Sequence, residues 1–275
     1  MKSVSVKGIE VPALGLGTWR LSGRQCYDAV RTALELGYRH IDTAEMYGNE
    51  TEVGRAIRES GIDRAAIFLT TKVPPGKLRA AAARRSAEEG LRKLGLPYVD
   101  LLLVHWPSAE APLAETLQTF AALKEEGKTR FIGVSNFNVR LLDEAVARLG
   151  ADLLCNQVEY HPYLSQRPVL AWLRQHGMML TAYAPVAKGR AVGDAALAAI
   201  GRKYGKSAAQ VSLRWLIEQD GVAAIPKASS RAHLEANLAI FDFALSPEDR
   251  AAIDRLQGGG RLLDVPGWSP DWDRA

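Results

Sequence analysis

Eight apolar runs rich in Val, Ile and Leu recur along the chain, separated by stretches of helical length, and this alternation leaves few folds open. The runs are ALGLG (13–17), YRHID (38–42), IFLTTK (67–72), VDLLLVH (99–105), RFIGVS (130–135), LLCNQVE (153–159), MMLTAYA (178–184) and GVAAIPK (221–227). Between them lie amphipathic, Ala- and Leu-rich segments such as RQCYDAVRTALELG, LRAAAARRSAEEGLRKLG and LAETLQTFAALKEEGK, several closed by a Gly after basic residues. Strand-helix alternation with short connections implies a parallel sheet, and eight units imply closure into an α/β fold, a (β/α)8 TIM barrel. The opening SVSVKGIEVP alternates around Lys7-Gly8 like a small hairpin, which is expected to plug the amino-terminal mouth.

At 275 residues the chain suits one barrel, and residues 1–275 are expected to form a single domain, with no linker, like-charge run or low-complexity tract. The segment RLLDVPGWSPDWDRA after Gly258-Gly259-Gly260 reads as an irregular tail that docks through Trp268 and Trp272. Cys26 and Cys155 lack metal-ligand spacing and are expected to be free thiols, and no metal site is expected. No apolar run approaches the ~18 residues needed to cross a membrane, and MKSVSVKGIEVP has no signal core, so the expected compartment is the cytoplasm. The net charge of +4, from 35 basic and 31 acidic residues, is modest and scattered, and no aromatic-basic platform for nucleic acid is present. Nothing in the sequence demands more than a monomer.

Polar residues stand where the strands should emerge. Asp42 closes YRHID, Tyr47 follows in the next loop, Lys72 ends IFLTTK and His105 ends VDLLLVH, a placement read as four separate strand ends at the barrel's catalytic rim. A buried Lys72 cation at ~4 Å from Tyr47, worth ~4 kcal/mol at an effective dielectric of ~20, is expected to pull the phenol's pKa down toward neutrality. Asp42 would keep Lys72 charged, and His105 would donate a hydrogen bond to a carbonyl oxygen as negative charge develops there. That set suits carbonyl reduction. Gly17-Thr18-Trp19 adds a flexible turn and an aromatic wall beside the rim.

With these motifs assembled, the chain resembles the aldo-keto reductases. GLGTW (15–19), DTAEMYGNE (42–50), TTK (70–72), HWP (105–107), GVSNF (133–137), NQVEYHPYL (156–164), AYAP (182–185) and IPK (225–227) occur in family order over nearly the whole chain. The likeness is strongest to short bacterial 2,5-diketo-D-gluconate and methylglyoxal reductases, including the terminal VPGWSPDWD. The resemblance implies a catalytic tetrad of Asp42, Tyr47, Lys72 and His105, with Tyr47 as proton donor, and a small carbonyl substrate contacted by Trp19, Tyr47, His105 and Trp106. It implies NADPH as cofactor, with NADH as a weaker alternative. Ser135, Asn136 and Gln157 match the contacts to the nicotinamide carboxamide, and Tyr183 matches the platform beneath the ring. Thr18, Trp19 and Asp42 match first-strand and rim contacts. Ala184, Pro185, Val186 and Gly189 match the pyrophosphate loop, and Lys227, Ser229, His233 and Asn237 lie in the adenosine and 2′-phosphate segment. No Gly-x-Gly-x-x-Gly follows a strand, so the binding mode is not that of a Rossmann fold.

Three positions depart from the family pattern. His233 stands where NADPH-dependent members usually have Arg, and a neutral imidazole lacks a guanidinium's permanent charge, so strict NADPH preference is not expected; Lys227 and Arg231 remain to attract the phosphate. Ala236 replaces an acid set against the adenine, and Pro74 replaces a tryptophan, which should widen the pocket. Two other readings compete: a non-catalytic, nicotinamide-nucleotide-binding regulatory module, and a Schiff-base aldolase using Lys72 as nucleophile.

Overall fold

The computed structural model describes residues 2–258 and 260–273; Met1, Gly259, Arg274 and Ala275, and with them the middle of the glycine run and the end of the expected tail, lie outside the described residues. Two strands, β1 (Ser3–Val6) and β2 (Ile9–Pro12), pair antiparallel across Lys7 and Gly8. Eight parallel strands follow: β3 (Leu16–Gly17), β4 (His40–Asp42), β5 (Phe68–Val73), β6 (Val99–Val104), β7 (Thr129–Ser135), β8 (Leu153–Glu159), β9 (Met179–Tyr183) and β10 (Val222–Ala224). They pair in chain order. The sheet closes on itself where Leu14 bridges Ala224 in parallel, with Gly15 N donating to Ala224 O at 2.9 Å and Gly17 N to Pro226 O at 3.1 Å. The protein is therefore the eight-stranded barrel that the alternation predicts.

Helices α1 (Gly23–Glu35), α2 (Glu50–Arg58), α3 (Ala80–Leu94), α4 (Leu113–Glu125), α5 (Val139–Leu142), α6 (Arg167–Gln175), α7 (Ala195–Tyr204), α8 (Ala208–Glu218), α9 (Arg231–Leu238) and α10 (Pro247–Asp254) accompany the strands. In α3 the buried Ala83, Ala87, Gly90 and Leu94 recur at helical spacing, and Gly95 ends the helix at φ +62° behind Arg92 and Lys93. At α8, Ser207 and Gln210 form a reciprocal capping box, a device worth ~1 kcal/mol. Strands β5, β6 and β8 are buried along their whole length, as strands covered on both faces must be.

The hairpin sits where expected. Lys2 Nζ donates to Ile217 O just before β10, Lys7 pairs with Asp152 just before β8, and His40 Nδ1 bonds Pro12 O at the start of β4, all at the amino-terminal ends of strands. Gly17 corrects an expectation: it is buried strand, not a flexible turn. A Cβ there would lie 2.7 Å from the Ile225 carbonyl oxygen, so the residue is small because the closing strands approach closely.

The tail docks on the opposite, carboxyl-terminal face. Glu159 accepts from Leu262 N at 2.7 Å and Leu263 N at 2.9 Å, Trp268 and Trp272 pack on Trp106 at ring distances of 6.4 and 6.3 Å, and Val139 N donates to Asp273 Oδ2 at 2.9 Å. It therefore crosses the ends of β8, β7 and β6.

Candidate active site

The four rim residues converge, but from three neighbouring strands rather than four. Asp42 ends β4, Tyr47 lies in the short 3-10 turn Glu45–Tyr47 that follows it, Lys72 is on β5, and His105 follows β6. Parallel register brings these ends together, with Asp42 beside Thr70 and Lys72 beside Leu103. The turn bearing Tyr47 is fixed by the buried Asn49, whose Nδ2 donates to Thr18 O at 2.9 Å and Leu21 O at 2.8 Å while its Oδ1 accepts from Thr43 Oγ1 at 2.7 Å. Thr18 in turn donates through Oγ1 to Asp42 O at 3.0 Å.

Lys72 is the centre of the cluster. Its Nζ donates to Asp42 Oδ1 at 2.6 Å and Thr43 O at 2.8 Å, and stands 3.4 Å from Tyr47 Oη. Burial pulls the Lys72 pKa below the ordinary lysine value, and the Asp42 carboxylate opposes that pull. Tyr47 does not have the depressed pKa expected from the sequence. Burial, with the Asp42 carboxylate pushing the same way, holds the phenol well above its ordinary value. The His105 ring meets Tyr47 edge-on at 5.6 Å, and burial together with the Lys72 charge pulls its pKa down to about 3. His105 is thus neutral near pH ~7. Its Nδ1 is enclosed without a partner among the described residues.

A second polar set adjoins the first. Gln157 Nε2 donates to Asp42 Oδ2 at 2.7 Å, Ser135 Oγ donates to Gln157 O at 2.8 Å, and Asn136 Nδ2 donates to His105 O at 3.0 Å. Tyr183 Oη donates to Asn136 Oδ1 at 2.7 Å. Asn136 holds φ +64°, a left-handed conformation that Asn tolerates better than most residues. The loop after β9 follows, with Ala184, Ala187, Lys188 and Gly189 all at positive φ and Pro185 O anchored by Ser212 Oγ at 2.7 Å. Val186 lies within it.

The adenosine-segment residues lie apart from this cluster. Lys227, Ser229 and His233 are exposed and Asn237 half-buried, at the end of β10 and on α9. Arg231, expected to share the phosphate charge with Lys227, is instead paired with Glu35 at 2.8 Å and Glu235 at 3.7 Å, because α1 and α9 pack side by side. Trp19 is 38% exposed under Arg20, whereas Trp106 is only 6% exposed beneath the tail tryptophans.

Two residues given no role in the sequence reading matter here. Glu159 is an acid within a buried strand and required a partner, which alone would have flagged it. Arg261 follows the glycine run with no periodicity to place it. Both cysteines are buried free thiols. Among the described residues no helix is long and apolar enough to cross a membrane, and no group of three or more His, Cys, Asp or Glu is placed to hold a metal.

Fold and rim together define a (β/α)8-barrel protein with a lysine, carboxylate, phenol and imidazole cluster at its carboxyl-terminal mouth. The Aldo/keto reductase family model matches residues 13–257. Methylglyoxal reductase DkgB of Escherichia coli O157:H7 is 43% identical over 266 residues, covering 96% of this chain and 99% of that protein. Morphine 6-dehydrogenase of Pseudomonas putida is 39% identical, covering 94% and 92%. A crystal structure assigned as a 2,5-diketo-D-gluconic acid reductase B superposes with a TM-score of 0.97 at 47% identity, covering 100% of this chain and 98% of that one. The chain belongs to the aldo/keto reductase family of oxidoreductases.

Proposed function

We propose that the protein reduces small aldehydes, dicarbonyls or keto-sugar acids to alcohols with NADPH, with Tyr47 as the proton donor and NADH as a weaker cofactor. The observation that carries this reading is Lys72 Nζ, bonded to Asp42 at 2.6 Å and standing 3.4 Å from Tyr47 Oη in a buried cluster. A nicotinamide, when bound, supplies the hydride. Ser135, Asn136 and Gln157 would hold its carboxamide, Tyr183 its ring, the 184–189 loop the pyrophosphate, and Lys227 the 2′-phosphate.

The chain's own residues handle the proton. Neutral His105 offers an N–H to the carbonyl oxygen without bringing a charge of its own. Tyr47 keeps its proton until that oxygen becomes an alkoxide, which is more basic than the phenol; the proton then moves from Tyr47 Oη to the oxygen. The phenolate left behind is stabilised by Lys72, whose orientation Asp42 sets. A high resting pKa therefore suits the donor, since the acid must be protonated when substrate arrives. Relatives named as methylglyoxal and 2,5-diketo-D-gluconic acid reductases favour small dicarbonyls and keto acids as the substrate class.

The lowered pKa of Lys72 is also what an amine nucleophile would need, and it favours the aldolase reading to that extent. Two hydrogen bonds to oxygen acceptors and complete enclosure count against it. The test is a panel of carbonyls with NADPH and NADH, followed by loss of the reduced-nicotinamide absorbance. Turnover supports the reductase; binding without turnover supports the regulatory module; a borohydride-trapped adduct at Lys72 supports the aldolase.

A further inference from the structure

Arg261 opens the docked tail and is a half-buried cation without a polar partner. Among the described residues no acceptor lies within hydrogen-bond or ion-pair reach of its guanidinium, and its Nη1 is enclosed. The group stacks on Trp272, with Cζ 3.5 Å from the ring centroid. Three carboxylates stand in its electrostatic neighbourhood, Glu159, Asp264 and Asp273, and each is committed elsewhere. Glu159 accepts from His161 Nε2 at 2.9 Å, Leu262 N at 2.7 Å and Leu263 N at 2.9 Å. Asp264 accepts from Trp272 Nε1 at 3.1 Å, and Asp273 from Val139 N at 2.9 Å.

Its position ties this cation to the reaction centre. Tyr183 pairs with Glu159 in the β8–β9 register, and its hydroxyl feels both the Arg261 charge and Tyr47. On the other side Trp272 packs on Trp106, next in sequence to His105. Arg261 therefore lies over the mouth, between the Tyr183 edge and the tail tryptophans. The enclosed Nη1 loses the hydrogen bond that water would give it, and the planar fork of a guanidinium matches a carboxylate. Stacking on Trp272 fixes that plane in advance.

We propose that Arg261 recognises a carboxylate on the substrate, so that the enzyme selects oxo acids over neutral carbonyls of similar size. This rests on the reductase reading above. The competing role for Arg261 is purely structural, as a cation–π fastener of the tail, and the two roles separate by substrate charge.

The experiment compares 4-oxobutanoate and 4-formylbenzoate with their methyl esters, for the wild type, Arg261→Met and Arg261→Lys. We expect the wild type to favour the acids over the esters by about tenfold or more in kcat/KM, the scale of one charge-assisted hydrogen bond. Arg261→Met should collapse that ratio to about one, with the loss in KM for the acids, and Arg261→Lys should restore part of it. Acrylamide quenching of tryptophan fluorescence reports whether the tail stays docked. Equal losses on acids and esters with an undocked tail would assign Arg261 the fastener role and overturn the proposal. So would a wild type without acid preference, or a preference that survives in Arg261→Met. If the wild type reduces neither acids nor esters with NADPH, the reductase reading itself fails, whereas normal ester turnover without acid preference removes only the role of Arg261.

Discussion

Gln157 Nε2 donates to Asp42 Oδ2 at 2.7 Å, joining β8 to β4 across the full width of the barrel mouth. Because Lys72 holds the other carboxylate oxygen at 2.6 Å, both oxygens of Asp42 are fixed, one by the proton-handling cluster and one by the proposed carboxamide set. Gln157→Met removes that tie. A hydrogen bond to a charged group is worth ~1.5–3 kcal/mol, so the single-turnover rate should fall by about tenfold or more and the Kd for NADPH should rise. Stopped-flow turnover and cofactor fluorescence titration read the two effects separately.

Protonation states set a pH prediction. With His105 at about 3 and the Tyr47 phenol held above its ordinary value, neither group titrates between pH ~5 and ~9, and the chemical step of reduction should be flat across that range. Stability should not be flat. Between 6.5, the ordinary value, and about 3, the unfolded chain takes up a proton on His105 that the folded protein refuses. Stability from this residue is therefore complete above the unfolded pKa and is lost as pH falls through the window, by at most ~1.4 kcal/mol per pH unit. Urea unfolding at several acidic pH values should show a shallower slope for His105→Gln than for the wild type.

His233 is exposed on α9 near the proposed 2′-phosphate site, and with Arg231 already paired with Glu35 it is the residue proposed to set cofactor choice. NADPH should be preferred over NADH, because Lys227 offers a charge to the 2′-phosphate that NADH lacks. His233→Arg should tighten NADPH by several-fold and leave NADH unchanged. Kd titrations of both cofactors for the wild type and the variant measure this directly.

At the barrel seam, Gly17→Ala places a Cβ 2.7 Å from the Ile225 carbonyl, a backbone atom with little room to move. Overpacking of this kind costs ~1–3 kcal/mol. Thermal unfolding should show a lower Tm, and turnover should fall with it, because Thr18 and the Asp42 carbonyl lie beside the strained strand.

The sequence disclosed the parts of this molecule that repeat or alternate. Eight apolar runs with helices between them allow one closed sheet, and Lys7-Gly8 allows one hairpin. Asp42, Lys72 and His105 were legible because each interrupts an apolar run at its carboxyl end, and Tyr47 because it follows in the loop after the first of these. What escaped were relations that only tertiary packing creates. Tyr47 was assigned a lowered pKa from a single neighbour, whereas burial and Asp42 together raise it. Gly17 looked like part of a flexible turn because the approach of Ile225, over two hundred residues later, leaves no local signal. Arg231 was counted as a phosphate ligand because Glu35 lies on a distant helix. Arg261 comes into the electrostatic neighbourhood of Glu159 only because the tail returns over the mouth.

The central claim is that Tyr47 gives the proton to the nascent alkoxide. Tyr47→Phe keeps the ring against His105 and removes only the hydroxyl that stands 3.4 Å from Lys72 Nζ. Single-turnover oxidation of NADPH by methylglyoxal should slow by at least ~10²-fold in this variant, while NADPH binds with near wild-type affinity. Near wild-type chemistry in Tyr47→Phe would contradict the assignment.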